Sequence, residues 1–233
     1  MLMALIGDPS MFTALIRKEL RQGWLYVVLG TAVILLAYFL MIVLPVDGLF
    51  EMRLTNLWFL PPTVMVVICS AAFSQESQRG TNQFLGQLPV TALKIWLAKT
   101  TSALLMILAV VFLVLAVVLP VEVIIAAAGI NGGSTVPLPH RSLALSGELF
   151  LLLFSLGLLS SSLCRTETEA FLLTLVLTVS ALAGFTFLTL SHFMASKFCR
   201  VLVIAIFPTI LIITAFFLSY WFFSRRLYSW KRA

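Results

Sequence analysis

The chain has 233 residues, of which 61% are hydrophobic and only 10% charged, and its net charge is +6. A soluble domain runs nearer half apolar and a quarter charged, so a water-soluble enzyme is excluded, as is a disordered chain, which needs low hydrophobicity and high charge. The basic excess points to a membrane rather than to nucleic acid, because Lys and Arg gather on the cytoplasmic side of membrane proteins.

The first apolar run, Met1–Ile6, is short and has no basic residue before it, so no cleavable signal is expected. Met1 and Met11 both fit a start. Residues 9–23 then read as an amphipathic helix, with Ser10 placed to cap it. Phe12, Leu15, Ile16 and Leu20 recur at helical spacing and form one apolar face. Arg17, Lys18 and Arg21 lie largely off that face, which suits lipid headgroups. Such a helix is either a simple juxtamembrane anchor or an elbow that also touches a cytoplasmic partner.

A helix needs about 20 mostly apolar residues to cross ~30 Å of hydrocarbon. Six stretches qualify, at 24–46, 57–75, 100–121, 143–164, 170–190 and 201–223. They hold almost no charge: Glu148 lies near the start of one, and Glu122 just past the end of another. Pro120 and Pro208 lie within spans, where kinks are tolerated if neighbours satisfy the freed backbone. Eleven Lys and Arg fall on the side of the N-terminus, the 76–99 loop, the 165–169 turn and the C-terminal tail, against four on the other. That asymmetry puts both termini in the cytoplasm. The expectation is an all-α integral membrane protein, one domain over 1–233, with six transmembrane helices.

The 76–99 loop is more structured than a connector needs to be. Gly80 can break the helix descending from the second span. Thr81 to Leu88 reads as a short helix with Phe84, Leu85 and Leu88 on one side, and Pro89 stops it. Thr91 can cap the next helix, which carries Trp96 and Lys99 into the third span. The three apolar side chains either rest on the bilayer or dock into another protein's groove. Further along, Gly157 and Ser161 make a small-xxx-small pair that lets helices approach. Thr166 and Glu169 have capping-box spacing, so Glu167 and Glu169 read as helix-start residues rather than an acid–base pair. His140 and His192 are isolated on the outer side, and Cys69, Cys164 and Cys199 show no evident pairing.

No His-Glu-x-x-His and no phosphate-binding Gly-x-x-x-x-Gly-Lys-Ser/Thr loop occurs in the sequence. The span centres lack the Asp, Glu and His of proton relays and ion sites. If the protein moves something against a gradient, its energy comes from another subunit, because the residues outside the spans are too scattered for an ATPase domain.

Two segments carry a resemblance. Ile16-Arg17-Lys18-Glu19-Leu20-Arg21 is similar to the elbow-helix start of ABC transporter permeases of the type-two exporter family. Glu76-x-x-x-Gly80-Thr81, then Phe84-Leu85-x-x-Leu88-Pro89-Val90-Thr91 and Ile95-Trp96-Leu97-Ala98-Lys99, resembles that family's loop between spans two and three. The resemblance implies an export permease in the cell (inner) membrane, multi-pass, with no cofactor of its own. It implies two ATP-binding subunits that bind the ATP, and a second permease, identical or not. It assigns Glu76, Gly80, Thr81, Phe84, Leu85, Leu88, Pro89 and Lys99 to coupling with the ATPase, and Arg17, Lys18, Glu19 and Arg21 to the elbow. The family's often longer or re-entrant element before the last span is here a ten-residue connection, 191–200. Two other classes stay open: an integral membrane enzyme acting on lipid or peptide, and a non-transporting structural membrane protein.

Overall fold

The computed structural model describes residues 9–43, 60–79, 90–127, 140–190 and 197–232, with side chains at 11–40, 42, 64–74, 90–121, 123–124, 150–183 and 206–227. Six helices and no strand are found among the described residues. They are α1 (Pro9–Val43), α2 (Leu60–Arg79), α3 (Ala92–Ala127), α4 (His140–Leu163), α5 (Glu167–Leu190) and α6 (Lys197–Arg232). Each expected span lies largely within one helix. Three stretches are long and apolar enough to cross a membrane: Met11–Leu40, Ala92–Val121 and Ile206–Leu227. Val64–Ser74 of α2 and Phe150–Leu163 of α4 are shorter apolar helical stretches.

The first departure from expectation is at the N-terminus. A separate elbow over 9–23 and a span from 24 form one continuous helix of 35 residues. The physical reason is local. No proline interrupts residues 10–43, and Gly23 costs a helix only about 1 kcal/mol. At 1.5 Å per residue α1 is about 52 Å long, so it outruns ~30 Å of hydrocarbon. The helices α3 and α6, each 36 residues, overrun their expected spans in the same way. Pro120 and Pro208 lie inside them. Pro61 and Pro62 sit in the first turn of α2, where a missing N–H leaves no bond unmade.

Helix α4 is the hub and packs on α2, α5 and α6, while α1 lies along α3. One core joins Val27, Ile34 and Tyr38 of α1 to Ile68 and Phe73 of α2, Ile95 and Ile107 of α3, Leu158 of α4 and Leu227 of α6. A second, smaller cluster centres on Leu152, Leu156, Leu159 and Ala215. The outward faces stay apolar: Phe112 is 72% exposed and Phe217 67%. That pattern suits helices whose outer solvent is lipid.

Close approach is set by small residues. A Cβ on Gly30 would come within 2.5 Å of Val64 Cγ1, and one on Gly157 within 2.6 Å of Cys69 Cβ. One turn after Gly157, the Ser161 hydroxyl reaches into the backbone of α2. It donates to the Ser70 carbonyl (2.9 Å) and accepts from the N–H groups of Phe73 (2.8 Å) and Ser74 (3.2 Å). The expected small-xxx-small pair is therefore a contact between α4 and α2. Most other buried hydroxyls return to their own helix three or four residues back, as Ser102, Ser155, Ser160, Ser162 and Thr174 do. Those bonds satisfy the polar atom without help from a neighbour.

Gly157→Val is expected to lower the thermal midpoint of the purified protein in detergent, at a cost of about 1–3 kcal/mol for overpacking. The obstructing atom is a Cβ close to the α2 backbone, so it has little freedom to yield. An unchanged midpoint would show that α4 and α2 are not in tight contact there.

Candidate functional site

The polar contacts between helices gather at one end of the structure, where the N-terminal parts of α1, α3 and α5 meet the C-terminal ends of α2, α4 and α6. Their focus is Lys99, in the second turn of α3. Inward-facing positions on α3 follow the helical repeat through Ile95, Trp96, Lys99, Ser102, Ala103, Met106 and Ile107. Lys99 is only 2% exposed. Its ammonium donates to the Ala72 carbonyl, about two turns before the end of α2 (3.0 Å), and to Glu19 Oε1 of α1 (3.4 Å). It also lies 5.6 Å from the centroid of the Phe73 ring. A buried cation is tolerated only when paired and hydrogen-bonded, and here α1 and α2 supply those partners.

Lys18 Nζ lies 3.7 Å from the same Glu19 oxygen. Leu15 and Leu20 pack partly buried on the core on either side of Glu19. The inward face of the expected amphipathic helix thus carries one carboxylate among its apolar residues. Arg17 and Arg21 point outward and are exposed.

Further contacts extend the cluster to the remaining helices. The Phe73 and Phe223 rings are 5.1 Å apart, joining α2 to α6. Trp96 Nε1 donates to Ser219 Oγ (3.3 Å), and Ser219 in turn donates to the Leu158 carbonyl (3.3 Å), so one chain of bonds ties α3, α6 and α4. Arg226 of α6 donates to the Ser162, Leu163 and Cys164 carbonyls (3.0–3.2 Å) at the end of α4. Those carbonyls have no partner within their own helix. The Tyr26 hydroxyl donates to Glu167 Oε2 (3.0 Å), tying α1 to the start of α5.

The turn between α4 and α5 is the expected capping box. Glu169 N–H donates to Thr166 Oγ1 (3.2 Å), and Glu169 Oε2 accepts from the N–H groups of Thr166 (3.4 Å) and Arg165 (3.3 Å). Burial, then the Glu169 carboxylate, pushes the Cys164 thiol in this turn above its ordinary value, against the pull of Arg226. It stays a thiol at neutral pH, a poor nucleophile. Thr91 takes the N-cap position of α3, with its carbonyl accepting from the N–H groups of Lys94 (3.0 Å) and Ile95 (3.3 Å).

Of the candidate coupling residues, Lys99 is part of this cluster. Glu76 lies in the last turn of α2, with its side chain outside the described set. Gly80, Thr81, Phe84, Leu85, Leu88 and Pro89 lie outside the described residues. The described chain leaves α2 after Arg79, one residue before Gly80, and resumes at Val90. Glu19 is the elbow residue that enters the cluster. Reading the sequence alone misses the Glu19–Lys99 pair, which joins positions 80 apart; it places Lys99 where a helix enters the third span and, by resemblance, among the coupling residues. It also misses Arg226 as a cap and Tyr26 as a partner of Glu167. The only available signal is general: a cation flanked by apolar residues at the start of a span needs a carboxylate nearby.

The family model described as ABC-2 family transporter protein matches residues 21–179, more than half of the chain. The match begins within α1 and ends within α5, so it includes Lys99, the Gly157–Ser161 contact and the capping box. No curated protein and no solved structure matches.

Removing one member of the buried pair leaves the other uncompensated, at a cost of about 3–5 kcal/mol. Glu19→Gln and Lys99→Met are each expected to lower the denaturation midpoint of the detergent-purified protein by that order. The double variant Glu19→Gln/Lys99→Met is expected to recover much of the loss. Strictly additive losses in this cycle would mean that the two groups do not interact.

Proposed function

The chain belongs to the ABC-2 transporter family, and from that membership we propose that it is the permease subunit of an ABC exporter whose ATP is bound by a separate subunit. Membership and the apolar helices give a membrane protein of transport. The finer reading adds six spans, both termini in the cytoplasm of the cell (inner) membrane, and pairing with a second permease.

The observation that supports this reading is the Lys99 cluster. The segment 80–89 is strung between the end of α2 and the start of α3. Near them one buried ammonium, Lys99 of α3, bonds α2 at Ala72 and α1 at Glu19. In the proposed mechanism Phe84, Leu85 and Leu88 seat in a groove of the ATP-binding subunit. Glu76, Gly80, Thr81 and Pro89 set where that segment leaves and rejoins the helices. When the ATP-binding subunits close, the segment moves, and α2 and α3 move with it. Lys99 carries Glu19 and therefore α1 along, so the elbow takes part in the same displacement. The chain's own chemistry is then mechanical: it transmits, opens and closes, and breaks no covalent bond. Among the described residues no group of three or more His, Cys, Asp or Glu comes together, so none there favours the membrane-enzyme alternative.

Co-purification with the ATP-binding subunit is expected to be lost on Phe84→Asp or Leu88→Asp and kept on Leu108→Asn, which lies on the exposed face of α3. If both aspartate variants keep the partner bound and keep ATP-dependent transport in vesicles, the 80–89 segment is not the coupling element.

A further inference from the structure

The outward side of α1 carries a feature that neither the core nor the Lys99 cluster uses. Thr13, Ala14, Arg17, Lys18, Arg21 and Gln22 line a concavity of about 970 Å³. Among the described residues neither Arg17 nor Arg21 has an ion-pair partner, whereas Lys18 lies beside Glu19. The acid of this segment is turned inward to Lys99, so among the described residues this side of α1 presents no carboxylate beside Arg17 and Arg21.

The same side continues without a break into apolar surface. From Arg17 and Arg21 the three-to-four spacing runs on through Leu25, Val28, Ala32, Leu36 and Phe39, all exposed. Leu25 is 63% exposed and Leu36 62%. Leu25 to Phe39 spans about 21 Å at 1.5 Å per residue. Trp24, 59% exposed, stands at the junction of the two zones, where an indole prefers the membrane interface. A basic hollow joined at an aromatic residue to a lipid-length apolar track has two-part complementarity: an anionic head for the cations and a long hydrocarbon chain for the track.

We infer that the outward face of α1 is a binding site for an anionic phospholipid, with its phosphate held by Arg17 and Arg21 and an acyl chain laid along Leu25, Val28, Ala32, Leu36 and Phe39. The occupant is a lipid of the surrounding leaflet rather than an acidic protein surface, because the apolar track continues the cationic hollow into the span. The inference requires that the protein is in a membrane and is independent of the ATPase coupling proposed above. It gives the overlong α1 a role at the bilayer surface, distinct from that of its inward face.

The test is native mass spectrometry of the full chain, purified in detergent and titrated with phosphatidylglycerol, phosphatidylcholine or inorganic phosphate. Saturable binding of phosphatidylglycerol is expected, at least tenfold tighter than phosphatidylcholine, with no binding of phosphate over the same range. Arg17→Gln/Arg21→Gln is expected to weaken the lipid about thirtyfold, from about fivefold for each cation near a lipid surface. Arg17→Lys/Arg21→Lys is expected to retain most of the affinity, and the tail control Lys231→Gln/Arg232→Gln all of it. Unchanged affinity in the glutamine variant overturns the site. Equal loss in the tail control overturns it too, by showing a general charge effect. Phosphate binding as tight as the lipid would remove the apolar track from the account. Unchanged lipid binding with loss of the ATP-binding subunit would assign the face to a protein contact.

Discussion

A lysine ammonium that cannot reach water must find its partners inside the protein, and in this chain that requirement organises one whole end of the molecule. Lys99 is satisfied by a carboxylate from α1, a carbonyl and an aromatic face from α2, and nothing exposed. α1 and α3 cannot slide along each other by a turn without stranding a charge, and a stranded buried charge is far costlier than a lost apolar contact. The register of α1 on α3 is therefore fixed where Lys99 sits, and α2 meets it through the Ala72 carbonyl and the Phe73 ring. Phe73, held over the ammonium, also packs on Phe223, so α6 is positioned by the same arrangement.

The remaining polar links strengthen this end. Ser161 enters the backbone of α2, Ser219 bridges Trp96 to α4, Arg226 closes the end of α4, and Tyr26 holds the start of α5. In hydrocarbon such bonds are worth about 1 kcal/mol each. Toward the other end, contacts among the described residues are between apolar side chains such as Ile34, Tyr38, Val110 and Val114. Apolar contacts carry little directional preference. The molecule thus has one end braced by geometry-specific bonds and a remainder held by contacts that can repack. The coupling proposed above would use this division, with the braced end moving as a unit and the rest repacking around it.

The sequence made the helices legible because hydrophobic runs of about 20 residues have one economical structure in lipid. It also made local features legible where the signal is a short spacing: the capping box at Thr166–Glu169 and the small pair at Gly157 and Ser161 both appear as real contacts. Helix ends were less legible. The elbow and first span run together because amphipathic and apolar helix are the same backbone state, and the change of environment at residue 24 leaves no mark on the hydrogen-bond ladder. The candidate site was least legible. The sequence assigns Glu19 to the elbow and Lys99 to the coupling loop with nothing to pair them, and only the packing of α1 on α3 brings them together. A pair between distant positions has no periodicity to betray it.

The placement of charge also constrains how energy reaches this protein. An ion-coupled transporter keeps a titratable group within the membrane and changes its protonation or its ion during each cycle. Among the described residues the one buried charged side chain is Lys99, and it lies at an end of the helices rather than at their middle. It is bonded from two sides, by Glu19 of α1 and by the Ala72 carbonyl of α2. A group so held fixes the place of the helices around it. In the coupling proposed above, what passes through this end is displacement, entering by the segment that joins the two helices Lys99 binds together. On that proposal the buried cation makes a rigid handle, which a permease needs when the work is done by another chain.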